Sequence, residues 1–138
     1  MQDLKQAIKK YFQEREDTIA VYLYGSRAAG TDVPGSDVDI AVLSEPYKKK
    51  MDSFHARTRL QKDLSRLLRK DVDIVFLQEA GEALLFEVLR KGEIILERGE
   101  RSHHIFVVSR LTQCLDFQFY QKRMQTGLIQ AVRRTKLG

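Results

Sequence analysis

Four short apolar runs alternate along this chain with longer amphipathic segments. The runs are rich in β-branched and aromatic residues, and they span residues 19–24, 37–43, 71–77 and 93–97. This length and composition are typical of β-strands. Apolar residues recur at helical spacing over residues 4–17, 48–70, 83–91 and from about 102 to at least 125. With at most a short helix in the loop after the first run, the order α-β-α-β-α-β-α-β-α predicts an α/β or α+β domain, with helices packed against a sheet and a long C-terminal helix.

The size of the chain predicts one domain. Its 138 residues, 43% of them hydrophobic, are enough to form a single core. No apolar run approaches the roughly 20 residues that span a bilayer, and the charged amphipathic N-terminus is unlike a secretory signal. We therefore expect a soluble, cytoplasmic protein without membrane contact. The single cysteine, Cys114, lies among apolar neighbours and is assigned no function.

The net charge of +5 comes from the C-terminal end of the chain. Residues 122–138 contain five basic residues and no acidic one, whereas the first 121 residues contain 19 acidic residues and an equal number of basic ones. A neutral body with a basic end argues against direct nucleic-acid binding. The predicted organisation is a folded domain over 1–121 and a basic extension over 122–138, either helical or disordered, that could contact a partner.

Aspartates begin the second predicted strand and recur in the third. Asp37 and Asp39 are two residues apart and therefore point to the same face of a strand, while Val38 and Ile40 point into the core. Like charges this close repel each other unless a cation lies between them, and carboxylate ligands favour Mg²⁺ or Mn²⁺ over zinc. Asp73 would complete the cluster if the two strands are neighbours, although Asp71 shares its face and is an alternative. The competing interpretation is that these aspartates only keep strand ends soluble.

Three residues after the first predicted strand have the character of a phosphate site. Gly25 lets the backbone approach a phosphate, and Ser26 can cap a short helix while its hydroxyl binds phosphate oxygens. Arg27 could add positive charge, or it could be an ordinary exposed arginine. Two metal ions near these groups would clamp a triphosphate and activate an incoming hydroxyl, with Asp73 as a ligand or a base.

The spacing of these residues resembles a known signature. Gly25-Ser26, followed after ten residues by Asp37-Val38-Asp39, is similar to the GSx10DxD motif of minimal nucleotidyltransferases in the DNA polymerase β-like superfamily, and Asp73 resembles their third carboxylate. Residues 84–98 resemble the helix and strand that follow the catalytic core in members encoded beside a HEPN partner. The resemblance covers roughly residues 15–120. It implies a mixed, mainly four-stranded sheet flanked by helices, with ATP and two Mg²⁺ ions, or Mn²⁺, at the site.

The resemblance also implies a function. The longer members of that group are antitoxins that neutralise a HEPN ribonuclease toxin and transfer AMP from ATP to a tyrosine hydroxyl of the toxin. In this chain Gly25 and Ser26 would hold the phosphates, and the aspartates would hold metal and activate the hydroxyl. The chain lacks the length for the second domain of larger nucleotidyltransferases, which favours an acceptor supplied by a partner. Two alternatives are a small-molecule transferase of the antibiotic-modifying type and a non-catalytic antitoxin that inhibits by binding alone.

Overall fold

The computed structural model describes residues 2–25, 37–115 and 122. The strands are β1 (Thr18–Tyr24), β2 (Val38–Ser44), β3 (Val72–Phe76) and β4 (Glu93–Glu97). The helices are α1 (Gln2–Gln13), α2 (Lys50–Leu68), α3 (Glu82–Lys91) and α4 (100–115), and a short 3-10 turn covers Leu77–Glu79. All four predicted strands are therefore present, each within one or two residues of its predicted ends.

The strands form one mixed sheet in the order β3-β2-β1-β4. β1 is antiparallel to both β2 and β4, and β2 is parallel to β3. A parallel pair needs a long crossover connection, and α2 supplies it between β2 and β3. The predicted class, a mixed four-stranded sheet flanked by helices, is confirmed.

One face of the sheet packs against α1 and α2. The strand residues on this face alternate with residues that point away from it, as the two-residue period of a strand requires. The buried residues of this core are Ile8, Phe12, Val21, Leu23, Val38, Ile40, Val42, Leu60, Leu64, Val72, Ile74, Phe76 and Leu96. Because Val38 and Ile40 both enter the core, Asp39 between them lies on the opposite face.

The first helix is shorter than predicted. It ends at Gln13 rather than near Asp17, and the chain then turns through hydrogen bonds from Arg15 N to Phe12 O (3.0 Å) and from Thr18 N to Arg15 O (3.1 Å). Phe12 is the last apolar residue that α1 can bury, so continuing the helix would add only charged residues without contacts to stabilise it.

The final helix is divided between two compact units, Met1–His103 and His104–Gly138. Its described part is about 16 residues long. The predicted continuation to Gln125 and the extension over 122–138 lie outside the described residues, except for Lys122, which is helical. A domain boundary at residue 121 therefore stays a prediction. In the ranges described above, no helix combines the length and apolar character needed to cross a membrane.

A buried polar chain ties the start of α4 to the sheet within the first unit. The Tyr22 hydroxyl is hydrogen-bonded to Nε2 of His103, and Nδ1 of His103 is bonded to the Glu97 carboxylate. Both Tyr22 and His103 are buried. Burial, and then the charge of Glu97, raise the pKa of Tyr22 to about 12, so the phenol stays protonated. All three groups are satisfied when Nδ1 of His103 donates to the Glu97 carboxylate and Nε2 accepts from the Tyr22 hydroxyl.

Replacing His103 with Leu should destabilise the first unit by about 2–4 kcal/mol, because the Tyr22 hydroxyl and the Glu97 carboxylate are both left without their buried partner. Urea unfolding of the purified chain measures the difference. The neighbouring His104 is exposed, so the matched His104→Leu variant should stay within about 0.5 kcal/mol of the wild type. Equal free energies of unfolding for the two variants would contradict a structural role for the hydrogen bonds of His103.

Candidate active site

Three polar side chains form a row across the sheet on the face opposite the core. In the strand registers, Asp39 of β2 pairs with Asp73 of parallel β3 on one side and with Tyr24 of antiparallel β1 on the other. Directly paired residues point to the same face, and neighbouring strands are about 4.8 Å apart. The structure thus brings together Asp39 and Asp73, two of the predicted site residues, at the position where β2 begins. Asp37 is exposed and immediately precedes this strand.

The electrostatics of Asp39 favour a bound cation. Its pKa is raised by burial and by three further carboxylates, Asp73, Asp37 and Glu87 in that order. None of these causes is a cation, so among the described residues no positive charge offsets the ionised form of Asp39. Oxygen ligands of this kind fit hard divalent cations. In the described ranges, however, no three acidic, histidine or cysteine side chains converge closely enough to hold a metal ion as they stand. The donor chemistry of the carboxylates around Asp39 therefore fits a hard divalent cation.

Tyr24 and Glu87 belong to this site, and sequence reasoning did not find them. Tyr24 is buried, and burial followed by the charges of Asp39, Asp73 and Glu87 raises its pKa, which keeps its hydroxyl protonated. Glu87 acts on both Tyr24 and Asp39 from α3, whose Leu85 and Val88 are buried. A signal for Glu87 existed: it is the single charged residue of the apolar segment LLFEVL. Only the position of α3 shows that this charge faces the carboxylates.

The backbone of Gly25 lies against Asp39. Its φ of 77° is in the left-handed region, and a Cβ built on it would lie 2.4 Å from Oδ2 and 3.3 Å from Cγ of Asp39. Glycine is therefore needed at this position for both its conformation and its lack of a side chain. The sequence predicted a close approach to phosphate, and the structure adds a close approach to Asp39. Ser26 and Arg27 lie outside the described residues, so their predicted phosphate contacts stay predictions.

The register distinguishes the two candidates for the third carboxylate. Asp73 pairs directly with Asp39 and is the leading charged cause of its raised pKa, whereas Asp71 is not among the causes. Asp71 precedes β3, and its carbonyl oxygen accepts a hydrogen bond from Val38 N at 2.9 Å. This geometry favours Asp73 over Asp71 as the partner of Asp39.

A mixed sheet with carboxylates on adjacent β2 and β3, and with a left-handed glycine at the end of β1, is the arrangement expected of a nucleotidyl-transfer site. The family described as Polymerase beta, Nucleotidyltransferase matches residues 6–101. The chain belongs to this family.

The chain is similar in sequence to a curated protein and in fold to solved structures. The protein adenylyltransferase MntA of Shewanella oneidensis is 38% identical over 73 residues, which are 53% of this chain and 50% of that protein. The matched segment thus spans about half the length of this curated relative. Among solved structures, a chain of a toxin–antitoxin crystal structure with AMP-PNP is 25% identical, with a TM-score of 0.72 over 91% of this chain and 98% of its own. A chain of the toxin–antitoxin MntA-HepT crystal structure has the same fold, with 23% identity and a TM-score of 0.68 over 94% and 99% of the two chains.

Proposed function

We propose that this chain is a protein adenylyltransferase that acts as the antitoxin of a HEPN ribonuclease toxin, transferring AMP from ATP to a tyrosine hydroxyl of that partner. The observation that carries the proposal is the pairing of Asp39 with Asp73 on the sheet face opposite the core, with the Gly25 backbone against Asp39. Its support from relatives is the 38% identity to the adenylyltransferase MntA and the fold shared with a toxin–antitoxin chain solved with AMP-PNP.

The carboxylates have proposed roles as metal ligands. Asp37, Asp39 and Asp73 would hold two Mg²⁺ ions, with Mn²⁺ as an alternative, and the raised pKa of Asp39 supports this because a bound cation would compensate its charge. Bound divalent ions neutralise triphosphate charge and acidify the attacking hydroxyl in this class of reaction.

The remaining residues orient the substrates. The Gly25 backbone and Ser26 would bind phosphate oxygens, and Arg27 would add positive charge. The acceptor tyrosine oxygen attacks the α-phosphorus of ATP, the bond from that phosphorus to the bridging oxygen breaks, and pyrophosphate leaves. Asp73 is proposed to take the proton of the attacking tyrosine, because it lies beside Asp39 and is exposed where the partner protein would approach.

The proposal extends to location and to the end of the chain. ATP as the donor, together with a single buried cysteine in the described ranges, suits a cytoplasmic protein. The basic residues of 122–138 are proposed to contact the partner in a hetero-oligomer.

Intact-mass spectrometry of the HEPN partner tests the proposal. The partner is incubated with the full chain, Mg²⁺ and ATP, beside an Asp37→Ala, Asp39→Ala double variant. We expect a mass increase in whole AMP units with the wild type and no increase with the variant. A complex that forms without any mass increase would support inhibition by binding alone. Transfer to added antibiotics rather than to the partner would support a small-molecule transferase.

Asp73 and Asp71 offer a matched pair for testing the third carboxylate. We expect Asp73→Asn to lower the rate of AMP transfer roughly 100-fold or more, because it removes a charge that faces Asp39. Asp71→Asn makes the same chemical change two residues away and should lower the rate less than about threefold. Quenched-time-point mass spectrometry gives both rates. A larger loss in Asp71→Asn would reassign the third carboxylate.

A further inference from the structure

The surface of α2 and of the turns on either side of it is strongly basic. Residues 48–70 contain nine cationic side chains and two acidic ones. The cations are Lys48, Lys49, Lys50, Arg57, Arg59, Lys62, Arg66, Arg69 and Lys70. One of the two acids, Asp63, accepts a hydrogen bond from the Tyr11 hydroxyl at 2.9 Å. Charge is therefore segregated within the first unit, with carboxylates on one sheet face and cations on the helix that covers the other, and the neutral average of the first 121 residues conceals this.

An exposed aromatic side chain lies in the middle of this basic surface. Phe54 is 52% exposed, and the Arg57 guanidinium lies 5.7 Å from the centre of its ring. The ring of His55 is adjacent, at 6.1 Å between centroids. Contact of an aromatic ring with water is less favourable than contact with another planar group. An exposed ring flanked by cations therefore provides a surface on which a planar ligand can stack.

Two concave sites meet at Phe54. One has a volume of about 350 Å³ and is lined by Phe54, His55, Thr58, Arg59, Lys62, Asp63 and Arg66. The other, of about 420 Å³, is lined by Phe54, Arg57 and the lysines 48–50, together with Tyr47, Ser53 and Glu79. Two open depressions that share one aromatic wall and are lined largely by lysine and arginine suit a single strand whose bases stack while its phosphates contact the cations.

We propose that this surface, defined as Phe54 with the cations of residues 48–66, binds single-stranded RNA. Cations supply phosphate contacts and Phe54 supplies base stacking, the two components of sequence-tolerant single-strand binding. Asp63 adds an acceptor to the otherwise cationic first cavity. A carboxylate there repels phosphate but accepts a hydrogen bond from a ribose 2′-hydroxyl, which DNA lacks. An acidic protein surface would match the cations but would give no role to the exposed ring.

The α2 surface is separate from the proposed catalytic site. Leu60 and Leu64 pack α2 on the core face of the sheet, whereas Asp39 and Asp73 lie on the opposite face. RNA bound at α2 is thus a second ligand and not the acceptor of AMP. Variants of α2 should retain AMP transfer, and variants of Asp39 should retain RNA binding.

Fluorescence anisotropy of a 5′-labelled, unstructured 12-nucleotide RNA with the full chain tests the proposal. We expect Lys62→Ala, Arg66→Ala to weaken binding at least tenfold at low salt, and Phe54→Ala to weaken it roughly tenfold because base stacking is removed. The control is Lys9→Ala, Lys10→Ala, which removes the same charge from exposed positions of α1 and should change binding less than about threefold. In the α2 double variant, the slope of log K against log salt should fall by about 0.7 for each phosphate that the protein no longer neutralises.

Binding of a DNA strand and of oligoglutamate distinguishes RNA from the other classes of ligand. A DNA strand of the same sequence should bind several-fold more weakly, and oligoglutamate binding should not respond to Phe54→Ala. Oligoglutamate that binds as well as RNA would overturn the proposal in favour of an acidic protein partner. Equal affinity for DNA would overturn the ribose contact. RNA binding unchanged in every folded α2 variant would overturn the location, with the basic residues of 122–138 as the alternative site.

Discussion

The Asp39→Asn variant is expected to lose AMP transfer by roughly a thousandfold or more while remaining folded. Asp39 is the middle residue of the row, with a paired residue on each side. Its pKa is raised, so a bound cation would stabilise its ionised form. An amide of the same shape removes that charge without changing the packing. Single-turnover mass spectrometry of the partner gives the rate. A rate within tenfold of the wild type would exclude Asp39 from the catalytic machinery.

The same variant should be more stable than the wild type without metal. The pKa of Asp39 is raised in the folded state, so the folded chain binds more protons than the unfolded chain just above the ordinary carboxyl pKa. Stability is therefore lost as pH rises through that window, and it stays reduced at pH 7. Asn removes this penalty and should raise the metal-free Tm. Mg²⁺ should raise the Tm of the wild type and leave that of Asp39→Asn nearly unchanged.

A second aspartate provides the control. Asp3 is exposed in the first turn of α1, where a negative charge stabilises the helix N-terminus. Asp3→Asn should thus lower the Tm slightly and leave AMP transfer unchanged, with the opposite sign from Asp39→Asn. A fall in Tm for Asp39→Asn would mean that its charge is already compensated in the metal-free chain.

Gly25→Ala is expected to lower AMP transfer about 100-fold and to destabilise the chain by about 1–2 kcal/mol. The stability cost arises because alanine at a φ of 77° adopts the left-handed conformation. The catalytic cost arises because the new Cβ would lie 2.4 Å from Asp39 Oδ2, and the carboxylate must rotate away. Urea unfolding and single-turnover transfer measure the two effects separately.

Gly81 is the matched control for this substitution. It precedes α3 with a φ of −72°, and a Cβ there would meet nothing within 4 Å. Gly81→Ala should leave transfer unchanged and change the free energy of unfolding by less than about 1 kcal/mol, because alanine lowers the entropy of the unfolded chain but is a poorer helix N-cap than glycine. In an Asp39→Asn background, Gly25→Ala should cost little further activity, because the carboxylate it displaces is gone. A full additional 100-fold loss would show that Gly25→Ala lowers the rate by disturbing the bound phosphates and not by displacing Asp39.

Sequence reasoning predicted the elements of this fold because periodicity is a local property. The alternation in DVDIAVL predicted that Asp39 points away from the core, and the structure places it there. The choice between Asp71 and Asp73 depends on how β3 aligns with β2, which no local pattern encodes. Glu87 was missed for the same reason, since its helix meets the site only through tertiary packing. The basic surface of α2 was hidden because a net charge averages over faces that the fold separates.

The parallel pairing of β2 with β3 fixes the distance between the backbones of Asp39 and Asp73. Their spacing is a property of the main-chain hydrogen-bond ladder and not of the side chains packed beneath it. Core positions such as Ile40 and Ile74 can thus change in size, at a cost in stability, without altering the separation of the two carboxylates. A slip of a single residue in β3 would instead turn Asp73 into the core and end the pairing. Changes of size in this core should therefore lower stability more than they lower activity, whereas insertions and deletions within β2 or β3 should abolish the pairing of the two carboxylates.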